Sequence, residues 1–354
     1  MQLERPVKWI EDREENFYAT TQERGQVHDA AIALKEDGTI LGVRDVFLHD
    51  AGTYAPYGLT VPINSQCTLL GPYVVPNYYS EFTSIFTTKR IVTPYRGAGR
   101  QHGVFVMERL LDIAAKELAI DPVEIRRKNF IPLDAFPYNN EIIYQDFAPL
   151  VYDSGNYVPA LERALELIGY AQFLAEEKPR LEAAGKRAGI GVVNYIEGTG
   201  ICPYEGARVT VEASGKISVV TGIGTQGQSH FTSFAQVVAE QLGVAVADIH
   251  VVTGDTDLFY WGAGTFASRG AVVAGNAIHA ASAKVRAKVL KMAGDKLEAA
   301  PEDLELVDGH AQVKGVPSTN SKSSGTTDGG GQSHARRCQT GHRTGAGSHR
   351  LLRA

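Results

Sequence analysis

The chain has 354 residues, of which 44% are hydrophobic and 21% charged, a size and composition typical of a globular protein of about two domains. Its net charge of −5 is uneven: six basic residues and one acid follow residue 316, leaving 29 basic and 39 acidic side chains, a net of −10, in residues 1–316. Such an excess of acidic side chains disfavours binding to nucleic acid, because contacts with phosphates dominate the affinity of that binding. The sequence lacks a secretion signal at its start and an apolar run of the roughly 20 residues that a membrane span needs. Three widely spaced cysteines, Cys67, Cys202 and Cys338, are typical of reduced thiols in the cytoplasm.

The first half of the chain predicts strands followed by helices. An Asp37-Gly38 turn between two apolar runs indicates a β-hairpin, and residues 81–88 predict a further strand. The Pro/Tyr/Gly-rich stretch between them, up to Tyr79, predicts a structured loop. Helical spacing recurs over residues 104–118, and Asp121-Pro122 is typical of a helix start. Residues 130–157 have an irregular pattern.

Helical patterns return over residues 159–184 with a break at Gly169, and the Lys/Gly-rich run after them predicts a domain boundary. We therefore expect a first domain over 1–184 and part of a second over 185–316, with hairpins at Ser214-Gly215 and Asp308-Gly309. The expected fold class is α+β, with mixed, largely antiparallel sheets and packed helices. Residues 317–354 are rich in Ser, Thr, Gly, Arg and His and predict a disordered tail. The abrupt change of composition also suggests a frame-shifted end.

A glycine-rich turn stands at the centre of the second domain. Thr221-Gly-Ile-Gly-Thr-Gln-Gly-Gln-Ser-His230 follows a β-prone run and leads directly into an amphipathic helix. Glycine lets a backbone approach a ligand closely, and the N-terminus of a helix favours phosphate. Two more glycine-rich loops, 96–103 and 262–270, also precede helices. Together the loops carry Arg96, Arg100, Gln228, His230, Thr265, Ser268 and Arg269, which suggests a shared, phosphorylated polar cofactor.

Two other interpretations of the turn remain open. Gly222-x-Gly224-x-x-Gly227 with Asp248 matches the fingerprint of a nicotinamide-dependent dehydrogenase. That fold needs a βαβ unit of parallel strands, whereas the strand before the turn is predicted to be one arm of an antiparallel hairpin. The turn also fits a plain tight connection that caps its helix.

The segment Gly224-Thr-Gln-Gly-Gln-Ser-His-Phe-Thr-Ser-Phe-Ala-Gln236 resembles the cofactor-binding motif of the molybdenum hydroxylase large chains, the family of xanthine dehydrogenase, aldehyde oxidase and aerobic carbon monoxide dehydrogenase. Further segments match the family in the same order: Arg5–Asn16, Asp50–Tyr54, Tyr95–Arg100, Arg126–Phe130, Asp153–Tyr157, Gly254–Asp257 and Gly264–Arg269. The resemblance covers roughly residues 5–316. It implies two molybdopterin-binding domains and a molybdopterin cofactor in its cytosine dinucleotide form.

The resemblance also implies roles for individual residues. Arg96 falls where the family has an arginine that orients substrate and the molybdenum ligands. The cofactor-binding positions are Gly97, Gly99, Gly227, Gln228, Ser229, His230, Thr265, Ala267 and Ser268, with Gln228 the best hydrogen-bonding candidate. The resemblance places no direct metal ligand in this chain. Taken one at a time, Arg96 is better explained by a surface salt bridge and His230 by a helix cap, whereas the set as a whole favours the cofactor-binding roles.

Three departures from the family pattern bear on function. Gly97 stands where carbon monoxide dehydrogenases with a copper–molybdenum centre have a cysteine that binds copper, which favours hydroxylation of an aldehyde or N-heterocycle. Ser229 replaces a glycine. The Gly-x-Gly-Glu segment that supplies the family's general base, and a Gly-Gly-Phe-Gly-type cofactor loop, are expected outside the matched residues. We therefore expect a fragment that is inactive alone, with a truncated remnant as a further alternative.

The resemblance finally implies partners. A [2Fe-2S] small subunit and an FAD-binding medium subunit would accept the electrons, in a cytoplasmic dimer of heterotrimers acting on a small molecule.

Overall fold

The computed structural model describes residues 4–201 and 203–316, and the predicted disordered tail at 317–354 lies outside them. The chain divides into two compact units, residues 1–197 and a second unit that begins at Gly198. We call these the first unit and the second unit.

The first unit contains a three-stranded sheet of β1 Gln26–Leu34, β2 Ile40–Gly52 and β3 Tyr78–Phe86, in that order. The Asp37-Gly38 hairpin is confirmed: β1 and β2 are antiparallel, and Gly38 takes the left-handed φ of +83° that the turn requires. By contrast, β3 pairs parallel with β2.

The helices of the first half are α1 Arg13–Ala19, α2 Thr60–Thr68, α3 Arg100–Leu118 and α4 Pro122–Asn129. Asp121 caps α4 as predicted, because its side chain accepts hydrogen bonds from the Val123 and Glu124 backbone amides. Met107, Leu111 and Ile125 belong to the core of this unit. Together they place α3 and α4 over the sheet.

The stretch predicted as a structured loop contains α2, and that prediction was wrong. α2 buries polar Asn64 and Ser65 as well as apolar Val61 and Cys67. Because both kinds of side chain are buried, the sequence lacks the amphipathic period that would reveal the helix.

A second prediction was also wrong: residues 130–157 include an antiparallel hairpin of β4 Tyr138–Ile143 and β5 Pro149–Tyr152. The helical region beyond it comprises α5 Tyr157–Ile168, the short α6 Tyr170–Gln172, the π-helix Phe173–Glu177 and α7 Lys178–Ala183. Gly169 takes φ +65° and ends α5, which confirms the predicted break.

The second unit contains the sheet β6 Ala207–Val211, β7 Ile217–Thr221 and β8 Ile249–Thr253, in that order. Helix α8 His230–Leu242 connects β7 to β8, and helix α9 Gly275–Leu297 leads to the hairpin of β9 Leu304–Val307 and β10 His310–Val313. Ile217, Phe234 and Ile278 lie in one apolar core. The core therefore anchors both ends of the glycine-rich turn.

The sequence predicted only one of the two strand pairings of β7. This strand is antiparallel to β6, as the Ser214-Gly215 hairpin indicates, and also parallel to β8. A sequence pattern gives the partner across a short turn, whereas the neighbour beyond a helical crossover depends on packing. Four of the six strand pairings in the described residues are antiparallel, so the predicted α+β class with largely antiparallel sheets is confirmed. Within these residues, no helix is long and apolar enough to cross a membrane.

Candidate cofactor-binding site

The turn between β7 and α8, residues 222–229, is held in shape by its own side chains. The Gln228 Oε1 atom accepts hydrogen bonds from the Gln226 backbone amide at 2.6 Å and from the Thr225 hydroxyl at 3.3 Å. Gly227 and Ser229 take φ of +99° and +65°. Within the described residues, the backbone amides of Gln228 and Ser229 have no hydrogen-bond acceptor. Two donors thus remain for a ligand at the N-terminus of α8, where the helix dipole favours negative charge.

The glycines of this turn are open on one side. A Cβ atom added at Gly224 or Gly227 would meet no atom within 4 Å, and the same holds at Gly264 in the neighbouring loop. These glycines are therefore not required by packing within the unit. Their open faces leave room for a ligand against the backbone.

His230 begins α8 and faces inward. It is 4% exposed, and its ring stacks on Phe234 with 4.7 Å between centroids. Burial lowers the pKa of His230 below its ordinary value, so the ring is neutral at pH 7. Among the residues that the structure describes, its Nδ1 atom is buried without a hydrogen-bond partner. His230 thus packs under the turn, and a charged His230 would be disfavoured.

The loop 262–270 lies directly against the turn. A Cβ atom at Gly222 would lie 1.6 Å from the Trp261 carbonyl oxygen, so the two backbones are in contact. The Thr265 hydroxyl donates to the Gly224 carbonyl oxygen, and Gln226 Nε2 donates to the Thr265 carbonyl oxygen at 3.2 Å. The predicted residues at 227–230 and 265–268 are therefore brought together. Ala267 and Ser268 both take φ of +50°, which is strained for residues with a side chain.

In the first unit, the turn before α3 presents Arg96 on the surface. Its backbone carbonyl oxygen accepts a hydrogen bond from Arg24 Nη2 at 2.9 Å. The Arg96 side chain is exposed, and its guanidinium has no hydrogen bond or ion pair within the described residues. A surface salt bridge therefore does not explain Arg96, and its charge is available.

The rest of this turn is closed. Gly97 and Gly99 take φ of +101° and +98°, and a Cβ atom at Gly99 would lie 2.0 Å from the Val61 carbonyl oxygen. From α2, Asn64 Nδ2 donates to the Ala98 carbonyl and Ser65 Oγ to the Gly99 carbonyl, each at 2.9 Å. Sequence reasoning missed these supporting residues because it missed α2. Arg100, grouped by sequence with the ligand-facing side chains, is 3% exposed and donates to the Tyr144 hydroxyl at 2.6 Å.

His102 lies in the first turn of α3, beside a buried carboxylate. Its Nε2 atom is 3.9 Å from Glu23 Oε1, and Gln101 Nε2 donates to the same oxygen at 3.1 Å. Burial, with the nearby positive charge of Arg24 and the rings of His28 and His49, lowers the pKa of His102 to about 4. The ring is neutral at pH 7, so it supports the turn without adding charge.

Asp248, the acid of the dinucleotide alternative, lies at the wrong end of the sheet. It directly precedes β8, and its carboxylate binds Lys216 Nζ at 2.6 Å. Because β8 runs parallel to β7, Asp248 lies beside the start of β7, whereas the glycine-rich turn follows the end of that strand. The parallel pairing itself fits a dinucleotide fold, contrary to the sequence prediction, but Asp248 cannot contact a ribose bound at the turn.

The described residues contain no group of three His, Cys, Asp or Glu side chains arranged to hold a metal ion. The two neighbouring loops of the second unit instead combine open glycines with free amides at a helix N-terminus, an arrangement whose chemistry suits a polar, phosphate-bearing ligand.

Comparison with known proteins identifies the family to which the chain belongs. The molybdopterin cofactor-binding domain models match residues 1–130 and 163–340. The chain belongs to the molybdenum hydroxylase large-subunit family, as its motifs predicted.

Among its relatives is the 6-hydroxypseudooxynicotine dehydrogenase complex subunit gamma of Paenarthrobacter nicotinovorans, 36% identical over 88% of this chain and 39% of the relative. The carbon monoxide dehydrogenase large chain of Hydrogenophaga pseudoflava is 33% identical over 88% of this chain and 40% of the relative. The crystal structure of quinoline 2-oxidoreductase from Pseudomonas putida 86 superimposes with a TM-score of 0.80 at 33% identity, covering 89% of this chain and 41% of that one. The chain thus spans about two fifths of the length of these relatives.

Proposed function

We propose that this chain forms the molybdopterin-binding part of an oxidoreductase large subunit and binds the cofactor in its cytosine dinucleotide form. The observation that carries the proposal is the turn at 222–229, whose open glycines and unpaired amides lie at the N-terminus of the 13-residue helix α8. A pyrophosphate group fits such a place, since backbone amides and the helix dipole both favour negative charge.

The residues present fit the cofactor in their chemistry. The Gln228 and Ser229 amides would donate to phosphate oxygens, and the amide end of Gln228 adds a donor because its carbonyl end is already engaged within the turn. Gly227 would let the backbone approach the phosphates, and neutral His230 would support the turn from below. Thr265, Ala267 and Ser268 would contact the pterin end. When bound, the cofactor supplies the redox chemistry, while the protein supplies binding, orientation and electrostatics.

In the first unit, Arg96 would orient the substrate and the ligands of the molybdenum. Its guanidinium is exposed and has no partner within the described residues, so it can bind an anionic or carbonyl oxygen. Gly97 and Gly99 would set the direction of this side chain through their left-handed backbone.

The substrate class that we propose is an aldehyde or an N-heterocycle, hydroxylated at carbon. Two observations support this proposal. The family resemblance aligns Gly97 with the copper-binding cysteine of the copper-dependent members, and glycine has no side chain that could coordinate copper. Two of the relatives are named for reactions of organic heterocyclic compounds, a pseudooxynicotine derivative and quinoline.

We further propose that electrons leave through a [2Fe-2S] subunit and an FAD subunit, in a cytoplasmic dimer of heterotrimers. The relative from Paenarthrobacter nicotinovorans is named as one subunit of a complex. We expect this chain to have little activity without such partners.

The proposal is tested by expressing the full chain together with its iron–sulfur and flavin subunits and measuring molybdenum and cytidine nucleotide in the purified complex. Near-stoichiometric amounts of both are expected. An active complex that contains neither would overturn the proposal. Calorimetric titration of the full chain with NAD is the matched control, and tight NAD binding would restore the nicotinamide alternative.

A further inference from the structure

A buried ion pair lies behind the loop 262–270. The side chains of Glu205 and Arg269 are each 0% exposed, and Arg269 Nη1 donates to Glu205 Oε1. Removing two charges from water is costly unless further hydrogen bonds satisfy both groups. The remaining hydrogen bonds of the pair show where it acts.

Arg269 binds backbone on both sides of the pair. Its Nη1 atom donates to the Gly264 carbonyl oxygen at 2.7 Å, its Nε atom to the Ile201 carbonyl oxygen at 3.1 Å, and its Nη2 atom to the Pro203 carbonyl oxygen. The guanidinium carbon also lies 5.0 Å from the centre of the Phe266 ring. Only a planar fork of donors can reach all these acceptors from one position.

Glu205 completes the connection, because its Oε1 atom also accepts a hydrogen bond from the Ala263 backbone amide at 3.1 Å. Beside it, Trp261 Nε1 donates to the Tyr204 carbonyl oxygen at 3.1 Å, and the Trp261 and Tyr204 rings stack with 5.2 Å between their centroids. Ile201 and residues 203–205 thus connect to residues 261–266 through the Ala263 amide, the Gly264 carbonyl oxygen and the Trp261 indole, with Arg269 between them.

The loop held in this way contains strained residues. Ala267 and Ser268 follow the clamped segment directly, and each has a left-handed φ of +50°. Such a conformation persists only where its surroundings impose it. We infer that Glu205 and Arg269 are positioning residues that hold Thr265, Ala267 and Ser268 in the conformation that receives the ligand. This inference rests on the proposed function for its ligand, but the clamp itself can be tested without one.

The test compares three variants of the full chain by hydrogen–deuterium exchange. Glu205→Ala removes the acceptor of the Ala263 amide, and Arg269→Lys keeps the charge but loses the fork. Exchange over residues 262–268 should accelerate at least about tenfold in both, because a buried charge-assisted hydrogen bond is lost. Arg286→Lys is the control, since Arg286 donates to a single carbonyl oxygen, that of Gln241, at 2.9 Å, away from the loop.

A fourth variant, Glu205→Gln, separates charge from hydrogen bonding, because its amide oxygen can still accept from Ala263 and Arg269. Glu205→Gln should therefore retain most of the protection against exchange over residues 262–268 that Glu205→Ala loses. Unchanged exchange over 262–268 in Glu205→Ala and Arg269→Lys would overturn the inference. So would an equal loss of protection throughout β7 and α8, since the pair would then serve the folding of the whole unit.

Titration with cytidine 5′-diphosphate, monitored by calorimetry, connects the clamp to the ligand. Glu205→Ala and Arg269→Lys should weaken binding at least about tenfold, as expected when a preorganised site loosens, whereas Arg286→Lys should not. A variant in which residues 262–268 exchange faster but which binds cytidine 5′-diphosphate with unchanged affinity would overturn the inference. If the unmodified chain does not bind the diphosphate, the proposed function fails at this loop, while the exchange data still decide whether the clamp exists.

Discussion

The glycine-rich turns before α3 and α8 lie one in each unit, and their glycines serve different purposes. In the first unit, Gly99 lies against the Val61 backbone, and side chains from α2 bind the carbonyl oxygens of the turn. In the second unit, Gly224 and Gly227 face open space, and the Gln228 and Ser229 amides have no acceptor within the described residues. The same sequence pattern therefore marks a packed support for one exposed arginine in the first case and an open surface, proposed to bind the cofactor, in the second. Four predictions test this contrast.

The largest effect is expected from Gly99→Ala. The new Cβ atom would lie 2.0 Å from the Val61 carbonyl oxygen at φ +98°, so overlap adds to backbone strain, and we expect a loss of about 3 kcal/mol of unfolding free energy. Urea denaturation measures it. Gly58→Ala is the control, because Gly58 has φ +55° with no atom near the added Cβ. Equal losses in the two variants would show that the turn is not closed by packing.

The second prediction concerns pH. The pKa of His102 is lowered to about 4 from 6.5, so between these values the unfolded state binds a proton that the folded state does not. The full pKa difference corresponds to about 3 kcal/mol, and solvent screens part of it at this partly exposed ring, so stability should fall by about 2 kcal/mol as pH drops from about 6.5 to about 4. His102→Asn should remove this part of the pH dependence, measured by urea denaturation at each pH.

His230→Asn provides the comparison in the second unit, because burial also lowers the pKa of His230. An unchanged slope in His102→Asn would contradict the assignment of acid sensitivity to the first turn.

Ser65→Ala should cost about 1–2 kcal/mol. Ser65 is fully buried, and its hydroxyl both donates to the Gly99 carbonyl and accepts from Gln26 Nε2 at 3.0 Å, so the buried carbonyl and the partly buried Gln26 amide each lose one hydrogen bond. Ser233→Ala is the matched change beside the other turn. Its exposed hydroxyl donates to the Ser229 carbonyl oxygen at 3.2 Å, and a loss of about 0.5 kcal/mol or less is expected. Denaturation curves of similar midpoint for both variants would contradict the contrast.

Of the four predicted effects on stability, the smallest, about 1 kcal/mol, is expected for Gly227→Ala, because only left-handed strain is added. The new methyl group would instead occupy the proposed ligand face, so affinity for cytidine 5′-diphosphate should fall about tenfold. Gly185→Ala imposes similar strain at φ +74° in an open position of the first unit and should leave affinity unchanged. Unaltered binding by Gly227→Ala would place the ligand elsewhere.

Much of the fold was predictable from local sequence. The Asp37-Gly38 and Ser214-Gly215 hairpins, the Asp121 cap and the break at Gly169 each depend on a few neighbouring residues, and each is confirmed. Helix α2 was not predictable, because it buries polar Asn64 and Ser65 alongside apolar residues and so lacks an amphipathic pattern.

The family and the glycine-rich turns followed from motifs in the sequence, since the order of the motifs is preserved even where each alone is weak. What each turn does was decided by tertiary contacts. Val61 closes Gly99 from a helix 38 positions away in sequence, and Glu205 reaches Arg269 across 64 positions. Residues that are so far apart in the sequence produce no local pattern from which their contact could be predicted, because packing and burial, rather than neighbouring residues, bring them together. The sequence therefore determined where backbone must bend, and the tertiary structure decided whether the bend is packed against protein or left open for a ligand.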